Sequence, residues 1–207
     1  MWPFDGKKKR MEKKEGACSI SLKETPGENE FVKIVNKLKE VLSKTDNEVI
    51  ILCVGSDRST GDSLGPIVGT MLIEKKFSFP VYGTLEKPVH ALNIKEILKG
   101  IYQSHKEPFI LGIDACLGDE RQIGLIFLKE GSFIPGNALN KALPSVGDYH
   151  MKAIVNNLDP ISPAQALNST RLFVVMRLAE IITEIITQAF LVDSSSSMMA
   201  TEDIRYE

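Results

Sequence analysis

Two aspartates are the residues of this chain best suited to chemistry: Asp62 in GSDRSTGDSLGP (55–66) and Asp114 in DACLGDERQ (114–122). Carboxylates brought together in a poorly solvated cleft cannot ionise independently, so one pKa rises while the other stays low and a proton is shared. General acid and general base then coexist near neutral pH, and a water between them is activated for hydrolysis. Asp62 opens a predicted helix, where backbone N–H groups and the helix dipole favour an ionised carboxylate. Aspartate is also an ordinary residue for a helix start. Asp114 directly follows the apolar run FILGI (109–113), and a charge at that depth is costly without a partner or a purpose.

Asp57 and Ser59 in the first loop, His90 in PVHALN and Asp148 in SVGDYHM are candidates for holding a substrate. Gly147 permits backbone angles that would let Asp148 close over the site, the competing role for Asp148 being the cap of a following helix. The same carboxylate pair could instead hold a metal, with His90 or His150 as the nitrogen ligand. No metal or other cofactor is assigned. Nucleotide chemistry is disfavoured: where a phosphate-binding loop needs lysine this chain has Asp62, and no G-x-G-x-x-G follows the strand. There is no Gly-x-Ser-x-Gly elbow, and Cys53 and Cys116 have no histidine partner nearby in sequence.

The elements that must position these residues alternate. Phe31, Ile34, Val35, Leu38, Val41 and Leu42 recur at helical spacing, and VIILCV (49–54) is the continuous apolar run of a strand buried on both faces. A helix is predicted over 62–75, a strand over 81–85, a helix over 94–102, a strand over 109–113 and another over 123–128. Residues 147–158 and 170–191 are predicted helices. Crossovers of this kind place helices on both faces of a mostly parallel sheet, a three-layer α/β/α sandwich. Ligands in such sheets bind beyond the carboxyl ends of the strands. The loops carrying Asp62, His90 and Asp114 share that edge, whereas His105 lies at the opposite one.

With 207 residues and 43% apolar content the chain suits one domain. The expected limits are a disordered basic arm (1–25), a single α/β domain (26–192) and a disordered serine-rich tail (193–207). Net charge is -2. The lysine-rich stretch 7–14 leaves the remainder acidic, which argues against nucleic-acid binding by the folded part. Three cysteines without a CxxC pair fit a reducing compartment. No apolar run reaches membrane-spanning length, so a cytoplasmic location without membrane attachment is expected.

STGDSLGP (59–66) and GIDACLG (112–118) resemble the paired-aspartate arrangement of the spore germination protease and, more distantly, of the hydrogenase maturation proteases. The fuller set GSDRSTGDSLGP, YGTLEKPVHALN, IDACLG and LPSVGDYHMKAIVN is similar to the YyaC-type sporulation proteins. This resemblance implies a three-layer fold of the hydrogenase-maturation-protease or phosphorylase-like type. It makes Asp62 and Asp114 the counterparts of the acidic residues implicated in peptide hydrolysis. It further implies an endopeptidase active in sporulation or spore germination, cytoplasmic or within the developing spore. A protein would be the substrate, a small acid-soluble spore protein being one candidate, and a homo-oligomer is a further expectation. The alternative is a non-catalytic module on the same scaffold that holds a metal or a peptide.

Overall fold

The computed structural model describes residues 18–21, 28–135 and 143–191. Expectations for residues 1–17, 22–27 and 192–207 lie outside these. The elements are β1 (Cys18–Ser21), α1 (Glu28–Leu42), β2 (Val49–Cys53), α2 (Leu64–Glu74), β3 (Val81–Tyr82), α3 (Ile94–Ser104), β4 (Phe109–Gly118), β5 (Leu125–Glu130), β6 (Tyr149–Asn157), α4 (Pro163–Asn168) and α5 (Leu172–Phe190). A short 3-10 turn, Gly61–Ser63, leads into α2.

Six strands form one sheet in the order β1-β5-β6-β4-β2-β3. The β3–β2, β2–β4 and β4–β6 pairs are parallel, and β5–β6 and β1–β5 are antiparallel. Odd-numbered residues of β2, β4 and β6, including Ile51, Leu111, Ile113, Met151 and Val155, pack beneath α1, α2 and α5. Even-numbered Ile50, Leu52 and Ile110 face the other way, against Ile94, Leu98 and Ile101 of α3. This is the expected three-layer class, and its layers follow from strand residues pointing alternately to opposite faces. No described helix is long and apolar enough to cross a membrane.

Several expected elements differ. Residues 147–158, predicted helical, form β6: Met151, Ala153 and Val155 alternate onto one core face. Pairing with β4 over Leu111–Gly118 settles a short apolar run whose period alone is ambiguous. Residues 18–21, assigned to the basic arm, are the edge strand β1, held by β5. β3 is only Val81–Tyr82, because Gly83 turns the chain. β4 continues five residues beyond the predicted end at 113, so Asp114 is a strand residue and does not begin a loop.

The order places β2 between β3 and β4. The chain therefore leaves β2 toward one edge and returns to the other side of it, and a crevice opens between the carboxyl ends of β2 and β4.

Candidate active site

At the end of β2 the backbone turns sharply at Gly55, whose φ is +146° and where any Cβ would collide with the carbonyl oxygen of Asp62. Ser56 N–H donates to that same carbonyl at 3.1 Å, and Ser63 N–H donates to Ser59 O at 3.0 Å, closing a compact loop. Asp62 sits inside the 3-10 turn that ends the loop, and the cap positions of that turn and of α2 are held by Thr60 and Ser63. It is therefore not the helix cap that a first-turn aspartate often is.

Asp114 reaches the crevice from β4. Its predecessor Ile113 is registered with Cys53, the last residue of β2, so β4 outruns its neighbour at this point. On its other side Asp114 is still registered with Lys152 of β6. Asp114 is 4% exposed, and Lys152 Nζ donates to its Oδ2 at 2.8 Å.

Both aspartates line one cavity of about 320 Å³ at the crevice. Ser59, Arg58 and His90 contribute to its wall, and Leu92 and the α4 residues Ala164 and Leu167 form an apolar side. Burial, and then the negative charge of Asp114, push the Asp62 carboxyl up to about 6, against a backbone N–H bond from Ser56. Asp114 is also held above the ordinary carboxylate range by burial, with the Lys152 ammonium and the Ala115 N–H opposing. The pair thus retains a proton far closer to neutrality than two exposed aspartates would.

A family model described as "Protein of unknown function (DUF1256)" matches residues 23–185. The chain belongs to this family. It is 43% identical over 137 residues to the "Uncharacterized protein YyaC" of Bacillus subtilis (strain 168), a match spanning 66% of each chain. Among solved structures, the [NiFe] hydrogenase maturation protease HycI from Thermococcus kodakarensis KOD1 is similar over 72% of this chain and 98% of that one. The TM-score is 0.46 with 19% identity, a likeness too loose to carry function across.

Of the residues singled out in this family member's sequence, Asp62, Asp114, Ser59 and His90 meet at the cavity. The Ser59 hydroxyl oxygen is buried there without a hydrogen-bond partner among the described residues. His90 is fixed at the entry to α3: its backbone N–H donates to Asn93 Oδ1 at 2.8 Å, and its Nδ1 accepts from Leu92 N–H at 3.3 Å. A neutral ring accepting at Nδ1 carries its hydrogen on Nε2, which makes it a donor and not a metal ligand through that nitrogen.

Asp57 is not in the cavity; it is exposed and borders a neighbouring concavity with Glu74, Leu85 and Leu172. Asp148 is at the wrong end of the sheet. Its carboxylate accepts from Ile110 N–H at 2.8 Å, and its own N–H donates to Ile110 O at 2.9 Å. Neither a closing lid nor a helix cap is available to a residue engaged at the start of the β4–β6 ladder. His150 is buried against Phe133, with Nδ1 2.7 Å from Gly131 O, and does not join the carboxylates. Among the described residues no three His, Cys, Asp or Glu side chains converge as a metal would require. Cys116 is pushed up to about 12 by burial, and burial likewise raises Cys53, so both thiols stay protonated. His105 lies at the opposite edge, as expected, beside Glu48 at 2.7 Å.

Sequence reasoning missed Lys152 and the α4 wall. The signal for Lys152 was present: a lysine inside the apolar alternation HMKAIV is rarely buried without a carboxylate partner. It becomes legible only when the segment is read as a strand.

Proposed function

We propose that the chain is a peptide-bond hydrolase acting on a protein substrate during sporulation, with Asp62 and Asp114 as its catalytic residues. The observation that carries this reading is the convergence of a buried carboxyl, Asp114, and a half-buried one, Asp62, from different elements, on one cavity at the switch point of the sheet. In the proposed reaction the ionised carboxylate takes a proton from a water as its oxygen attacks the scissile carbonyl. The carboxyl that keeps its proton donates it to the leaving amine. The Nε2–H of His90 and the guanidinium of Arg58, both at the cavity, are donors placed to polarise the carbonyl. Small acid-soluble spore proteins are the substrate class to test first, and the cytoplasm of the developing spore is the corresponding location.

The test is cleavage of such a protein by the intact chain and by Asp62→Asn and Asp114→Asn. Cleavage by the parent with loss in both variants supports the reading; equal cleavage by all three rules it out. A second reading, a non-catalytic module that holds a basic peptide, is favoured by the concavity of about 390 Å³ where Asp57 and Glu74 lie beside exposed Leu85 and Leu172. Calorimetry with a basic peptide and with nickel or zinc separates the two. Tight binding without turnover favours the module, and absence of binding removes it.

A further inference from the structure

The proposed hydrolysis requires that one carboxyl keep a proton while the other surrenders it, and the direction of the reaction's proton traffic depends on which is which. Burial raises both aspartates, and Asp114 is the more deeply buried of the two, so burial alone would leave the proton on Asp114. What opposes this is Lys152. The β4–β6 register sets it directly opposite Asp114, and its Nζ lies 2.8 Å from Oδ2 with side chains 16% and 6% exposed. On its other side the ammonium lies 4.4 Å from the centroid of the Phe133 ring. An ammonium held between a carboxylate and the negative face of a ring, away from water, is strongly localised.

The ring is itself fixed in place. Phe133 and Val146 exchange backbone hydrogen bonds of 2.9 and 2.8 Å, and the ring lies over Gly112, where any Cβ would collide with it. Among the described residues, the other ionisable groups near the ammonium on its own and the adjoining strands offer it no anion. Cys116 on β4 is kept neutral by burial, His150 on β6 is held below its usual value by burial, and Lys129 on β5 beside His150 has like charge. Asp62 faces Asp114 at the cavity. From this geometry we infer that Lys152, steadied by Phe133, is the positioning residue that keeps Asp114 as the anion and leaves the retained proton on Asp62. Asp62 then donates to the leaving group, and Asp114 with its lysine orients the attacking water. The inference takes its purpose from the hydrolase reading, but its test does not depend on that reading.

Carboxyl-carbon NMR titration of the full chain, with Asp62 and Asp114 resonances assigned from their asparagine variants, reads the two midpoints directly. In Lys152→Met the proton is expected to move: the Asp114 midpoint rises, and the Asp62 midpoint falls by about one unit because its neighbour is no longer charged. Lys152→Arg restores the parent pattern. Should Lys152→Met fail to fold, Phe133→Leu keeps the ammonium but frees it from the ring, and the Asp62 midpoint shifts the same way by less. Unchanged midpoints in Lys152→Met, or in Phe133→Leu where only that variant folds, overturn the inference while leaving the hydrolase intact. Absence of cleavage by the parent chain sinks the hydrolase and leaves the titration result standing.

Discussion

The two edges of this sheet carry the same kinds of side chain and treat them in opposite ways. At the amino edge Asp148 is satisfied by Ile110 N–H, and Glu48, His105 and Tyr82 form a chain of contacts at 2.7 and 2.9 Å. At the carboxyl edge Asp62 is half-buried beside a second carboxyl, and the Ser59 hydroxyl is buried without a partner among the described residues. Residue type does not separate the two sets. Access to the cavity and the unmet Ser59 hydroxyl do: polar groups satisfied away from a cavity fasten elements together, whereas carboxyls and a hydroxyl gathered on one are available to a ligand.

The comparison is broken most severely by losing the carboxyls. Asp62→Asn and Asp114→Asn are each expected to lower hydrolysis by about 10²- to 10⁴-fold, measured as kcat/KM on a protein substrate. Asp114→Asn has a second effect, since it leaves the Lys152 ammonium 16% exposed without its anion. Denaturant melts should show a net loss smaller than the ~3–5 kcal/mol of a broken buried pair, because asparagine also relieves the burial cost of an ionised Asp114.

Asp62→Asn should do the reverse to stability. A carboxyl raised in the folded state to about 6 binds its proton more tightly than in the unfolded chain, so the fold is penalised as pH rises from about 4 to about 6 and remains so above. Asparagine carries no charge, and the variant should gain about 2–3 kcal/mol at pH 7 and nothing below pH ~4, read from melts at the two pH values. A loss at pH 7 would assign Asp62 to the satisfied class.

The amino edge should behave plainly. Asp148→Ala removes an acceptor from Ile110 N–H and should cost about 1–2 kcal/mol with cleavage unaffected. Glu48→Gln, at a pair whose glutamate is 47% exposed, should cost under about 1 kcal/mol and likewise spare activity. A large activity loss from either would erase the distinction between the edges.

Much of the scaffold was legible because continuous apolar runs such as VIILC and FILGI admit few structures when separated by helices. Asp62, Asp114, Ser59 and His90 were legible as neighbours because a parallel sheet gathers its carboxyl-end loops on one edge. Asp148 was misplaced for a related reason: reading 147–158 as a helix discarded the register that ties it to Ile110. The same misreading hid Lys152, since a lysine on a helix surface needs no partner and one in a central strand does.

By itself, then, the amino-acid sequence determined the layered class, the apolar strands and the pair of aspartates, all of which depend on local pattern and on chain connectivity. Only the tertiary structure decided that β4 outruns β2, that β6 brings a lysine opposite Asp114, and that α4 walls the cavity. Those facts depend on register between strands distant in sequence. A shift of one residue there would turn every side chain to the other face, and no local pattern records it.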